Sequence, residues 1–104
     1  MEFNSSERST LGVEVEYWVV DNETGMPVPD SVGILDAVSE PYGGEHPKAK
    51  HELFESSIEV ITGICETPAE ARADIEGTLA ELQPELDARG VQMMSSGTHP
   101  FVHW

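Results

Sequence analysis

The chain has 104 residues, and its 20 Asp and Glu against 5 Lys and Arg leave a formal charge of −15 with His neutral. That length holds one domain, and 38% hydrophobic residues suffice for a modest core, unlike a disordered chain. The charge repels nucleic-acid phosphates and anionic membranes, no apolar stretch approaches the ~20 residues of a membrane span, and MEFNSSERST at the start lacks the apolar segment of a secretory signal.

Residues 11–20, LGVEVEYWVV, alternate. Leu11, Val13, Val15, Tyr17 and Val19 fall on one face of a strand, and Gly12, Glu14, Glu16 and Trp18 on the other. Turn residues from Asp21 to Gly25, followed by Pro27, Pro29 and Asp30, end the strand near Val20. Between residues 32 and 50 the readable signals are an apolar patch (Val32, Ile34, Leu35, Val38) and a loop marked by Pro41, Gly43, Gly44 and Pro47. β-Branched residues predict a second strand over residues 56–64.

A helix start follows, with Thr67 as N-cap, Pro68 at the first helical position and Glu70 closing a capping box. Ala71, Ile75, Leu79, Leu82 and Leu86 form one apolar stripe, while Asp74, Glu76, Glu81, Glu85 and Asp87 read as a solvated face. Pro84 predicts a kink and Gly90 a stop. VQMM predicts a third strand, ended by Ser95, Ser96 and Gly97. The fold class is therefore α+β, a small, mostly antiparallel sheet with one amphipathic helix. Phe101, Val102 and Trp104 place apolar residues where natural chains fray into polar ones, so residues 1–104 read as a single, incomplete domain.

Glu14 and Glu16, two apart on a strand, point the same way with Cα atoms ~6.5 to 7 Å apart. Such a pair persists where water screens it or where a cation sits between. In an acidic chain a solvated face is the commoner case, but Trp18 on the same stripe argues for the wall of a cleft. Glu52, Glu55 and Glu59 follow, with Glu66 just beyond, and hard cations such as Mg²⁺ take oxygen ligands of this kind. Glu52 and Glu59 are seven apart and would lie on opposite faces of one regular strand, so either a bulge intervenes or Glu52 belongs to the preceding loop. The lone Cys65 reads as a small core residue of a protein from a reducing cytosol. His46, His51, His99 and His103 lack metal-site spacing, and Met93 and Met94 read as strand packing.

GVEVEYWVVD (residues 12–21), HELFESSIEVITGIC (51–65) and GTHPFVHW (97–104) together resemble three successive motifs of the glutamate-cysteine ligase type 2, or carboxylate-amine ligase, family. Within it they are most similar to the gamma-glutamylcysteine ligases of haloarchaea. The resemblance implies the N-terminal part of a glutamine synthetase-like catalytic fold. There ATP phosphorylates the γ-carboxyl of glutamate, and the amine of cysteine displaces phosphate. It further implies Mg²⁺ held by Glu14 and Glu16 on the first strand and by Glu52 and Glu59 as the second acidic pair, with His99 beside the substrate pocket. No role is carried onto Glu55. Metal ions on carboxylates offset the charge that phosphoryl transfer spreads over oxygens.

The cations such chemistry wants are few, namely Arg8, Lys48, Lys50, Arg72 and Arg89. The family's remaining arginines and acidic ligands would follow Trp104, so the 104-residue chain is expected to be inactive alone. The partners implied are glutamate, cysteine and ATP, in a cytoplasm, with neither nucleic acid nor membrane; a homo-oligomer stays open. A charge spread along the whole chain suits a salt-rich, halophilic cytoplasm. The rival reading is a non-catalytic acidic binding module for a basic protein partner. A module of that kind displays its carboxylates on an exposed surface, whereas a ligase wall buries Glu14, Glu16 and Glu59.

Overall fold

In a computed structural model, which describes residues 10–52 and 54–103, the alternating run becomes β1 (Thr10–Asp21). Asp21 Oδ1 then accepts the amides of Glu23 and Thr24 and turns the chain. Next come a helix, α1 (Ser31–Ser39), a 3₁₀ turn over Glu40–Tyr42, and the short strand β2 (Ala49–His51). Strand β3 (Ser57–Ile61), helix α2 (Pro68–Arg89) and strand β4 (Val91–His103) complete the chain. The sheet is antiparallel throughout, in the order β2-β3-β1-β4.

Both helices lie against one face of the sheet. Val19, Ile58, Val60, Ala49 and Val91 from the strands meet Ile34 and Leu35 of α1 and Leu82 and Leu86 of α2 in one buried core. Ile75 and Leu79 pack at its margin. Thr78, absent from the apolar stripe, is also buried, because its hydroxyl donates to the Asp74 carbonyl one turn back.

The start of α2 forms as its residues dictate, with the Thr67 hydroxyl accepting the Glu70 amide. Glu70 reaches back one residue farther than a capping box requires, to the Glu66 amide at 2.8 Å. The helix continues through Pro84 as one element, and Gly90 ends it in the left-handed region at φ 69°.

The structure extends the sequence reading at three points. Residues 31–39 form a second helix, whose first amide is held by the Glu55 carbonyl instead of a capping side chain. The third strand does not end at Ser95–Gly97 but runs on to His103, absorbing Ser96 as an extra residue between the partners of Glu16 and Tyr17. Met94 is exposed, while Met93 packs on the core. Cys65 is buried as expected and exchanges both backbone hydrogen bonds with Leu11. Arg8 and Trp104 lie outside the described residues.

Candidate functional site

The face of the sheet opposite the helices carries the acidic residues. Hydrogen bonds from Thr62 N to Val13 O and from Val19 N to Ser56 O set the parity of the β1–β3 ladder, so the odd residues of β1 are the hydrogen-bonded positions. Glu16 and its register partner Glu59 therefore face each other at a non-hydrogen-bonded position, where Cα atoms approach to ~4.5 Å and side chains are closest. Glu14 stands two residues along on the same face.

The parity difficulty over Glu52 resolves without a bulge. Lys50 pairs with Glu59 and β2 ends at His51, so Glu52 comes from the neighbouring strand's end, not from the strand that carries Glu59. A hairpin between β2 and β3 thus brings together on one face two residues that a single strand would keep apart.

The electrostatics follow from this crowding. Burial raises the Glu59 carboxyl first; the Glu14 charge, a hydrogen bond to Glu14, and the charges of Glu52 and Glu16 then carry it to about 7. The Glu14–Glu59 pair accordingly shares a proton as pH falls through about 7. A divalent cation would relieve the same repulsion. Among the described residues no three His, Cys, Asp or Glu side chains close on one point as a metal cage, so the unit is the Glu14–Glu59 pair flanked by Glu16 and Glu52. Mg²⁺ takes one or two protein carboxylates and fills its shell with substrate phosphates and water, which this all-oxygen pair fits.

His99 pairs through its backbone with Glu14. Trp18 stacks on Phe54, with centroids 6.0 Å apart and planes at 23°. The period-2 stripe points to Trp18, whereas Phe54 enters from the β2–β3 turn and no local spacing marks it. The described cations are engaged elsewhere. Lys48 bonds Asp74, Arg72 bonds Glu76, and Arg89 bonds Glu85. Lys50, on the acidic face by register, reaches Glu45 at 3.8 Å. Glu55 is exposed in the turn, and its carbonyl holds Ser31. The helix face read as solvated is only partly so, because Asp74 also accepts the Gly63 amide and Glu81 bonds both Tyr42 and His46.

The family model of glutamate-cysteine ligase family 2 matches residues 10–104. The chain belongs to that family. Among curated relatives, "Putative glutamate--cysteine ligase 2" of Thermobifida fusca is 44% identical over 105 residues, covering 100% of this chain and 26% of that protein. "Putative glutamate--cysteine ligase 2-1" of Frankia casuarinae is 46% identical over 99 residues, 94% of this chain and 26% of its own length. The Mycobacterium tuberculosis relative, named as in T. fusca, is 35% identical over 104 residues. The chain thus spans about a quarter of the length of these relatives. No helix among its described residues is long and apolar enough to cross a membrane.

Proposed function

We propose that this chain supplies the first wall of the active site of a glutamate-cysteine ligase, in which ATP, glutamate and cysteine give γ-glutamylcysteine through a γ-glutamyl phosphate. The observation that carries the reading is the placing of Glu14, Glu16, Glu52 and Glu59 together on the sheet face opposite the two described helices. Glu14, Glu16 and Glu59 are half-buried even on that open face, which favours a ligase wall over an acidic module that displays its charge. Bound there, Mg²⁺ would offset phosphate charge and align donor with acceptor.

The chain's own residues have definable tasks in this reading. The Glu14–Glu59 pair would hold the metal in its ionised form, Glu16 and Glu52 would keep the local potential negative, and the Trp18–Phe54 stack would bound the site. The family resemblance assigns His99 to the substrate side. The remaining catalytic groups belong to the greater part of the relatives' length that this chain does not span, so residues 1–104 form part of a larger catalytic domain and are inactive by themselves. The charge of −15 suits a salt-rich cytoplasm.

The test is turnover by the protein expressed at the full length its gene encodes. With glutamate, cysteine, ATP and Mg²⁺, γ-glutamylcysteine and phosphate should accumulate together. Replacing Glu14 and Glu16 with Gln should lower turnover by about 100-fold or more, with the fold retained by circular dichroism. Undiminished turnover in that double variant would remove the metal role.

A further inference from the structure

His46 lies outside the acidic face and is 1% exposed. Its Nδ1 accepts two backbone amides, those of Lys48 at 3.0 Å and Ala49 at 3.1 Å. A ring nitrogen that accepts carries no proton, so the proton of the neutral imidazole is on Nε2. That Nε2–H donates to Glu81 Oε1 of α2 at 2.8 Å, and the same oxygen accepts the Tyr42 hydroxyl at 2.7 Å. The His46 amide in turn donates to Ser39 Oγ at the end of α1. One imidazole therefore ties both helices and the 3₁₀ turn to the start of β2.

The tie acts where the sheet is weakest. Among the described residues, strand β2 is a three-residue edge strand with a ladder to β3 alone. Its ladder opens with the Lys48 carbonyl, which accepts the Ile61 amide at 2.8 Å. By the alternation of the ladder, the Ala49 amide points away from β3, toward the side where a fifth strand would lie. His46 Nδ1 takes the place of that strand. Three residues on, Glu52 leaves β2 beside Glu59, so the angle at which the strand begins sets where this carboxylate stands.

We propose that His46 is a positioning residue for the acidic site. Glu81 selects the tautomer, Nδ1 fixes the first amides of β2, and the strand delivers Glu52 to Glu14 and Glu59. The proposal rests on the reading of those carboxylates as the metal-binding group.

The test compares Mn²⁺ affinity, measured by electron paramagnetic resonance on the protein at the full length its gene encodes, among wild type, His46→Asn and His46→Gln. Asn places an amide oxygen where Nδ1 stands and should hold Mn²⁺ within about twofold of wild type. Gln reaches toward Glu81 and leaves the two amides without an acceptor, and should bind about tenfold or more weakly. Both lose ring packing, so thermal midpoints fall together while affinities separate. Equal affinities in the two variants would overturn the positioning role. Wild-type protein showing no Mn²⁺ binding that Glu59→Gln abolishes would overturn the metal reading and, with it, the proposal. Should His46→Gln fail to fold, Glu81→Leu and Glu81→Gln carry the comparison from a half-exposed helix position: the first should weaken binding several-fold, the second should not, and equal binding would again overturn the role.

Discussion

Glu59 shows how a single carboxyl couples the site to stability. Its pKa stands above the ordinary 4.5, at about 7, so the folded state binds the proton more tightly than the unfolded chain does. The stabilisation is complete below pH 4.5 and is lost as pH rises through about 7. The metal-free protein should therefore show a thermal midpoint that declines over that interval, and Glu59→Gln should flatten the decline. Mg²⁺ should raise the midpoint more on the alkaline side than on the acid side, because only the ionised pair attracts it. Scanning calorimetry across the interval, with and without Mg²⁺, checks both. Asp74 has the opposite sign. Burial pushes its carboxyl up, but the Lys48 ammonium and the Gly63 amide outweigh this and hold it below the ordinary value of 3.8. Its contribution is present above pH 3.8 and disappears as pH falls through the lowered value. Asp74→Ala should cost about 1 to 2 kcal/mol in urea unfolding at neutral pH, and the difference from wild type should vanish in acid.

At the scale of elements, α2 is the main support of the sheet. Leu82 is fully buried at its centre, and Leu82→Ala should cost about 2 to 5 kcal/mol. Thr67→Ala removes the acceptor of the Glu70 amide and should cost about 1 kcal/mol, both read from denaturant midpoints. This helix was legible in the sequence because its period, cap and stop all lie within its own residues. Helix α1 was not. Gly33 interrupts it, Ser31 and Ser39 occupy buried positions, and its first amide is satisfied by Glu55, 24 residues away. The Arg89 guanidinium lies over Gly33, where a Cβ would stand 2.8 Å from one of its nitrogens, a neighbour no local pattern announces. The site divides in the same way. Period 2 within β1 places Glu14 and Glu16 together, but the meeting of Glu52 with Glu59 depends on a hairpin register that the alternation of either strand leaves undetermined.

For the chain as a whole the governing quantity is a charge of −15 on 104 residues. Self-repulsion opposes folding, and added salt shortens its reach from ~10 Å at 0.1 M to ~3 Å at 1 M. The thermal midpoint, read by scanning calorimetry, should rise steadily with KCl over that range.

The strand order has a consequence for the order in which the chain comes together. β1 lies between β3 and β4, and its pairing with β4 joins Thr10 to His103, nearly the two ends of the chain. β1 and β3 both precede β4 in the sequence, so one side of β1 is open until β4 has been made. Open strand edges recruit other chains, and charged side chains discourage that. Glu14 and Glu16 sit in the middle of this open edge. Charge at these two positions is expected to discourage such recruitment, and neutralising both at once should lower the yield of soluble protein.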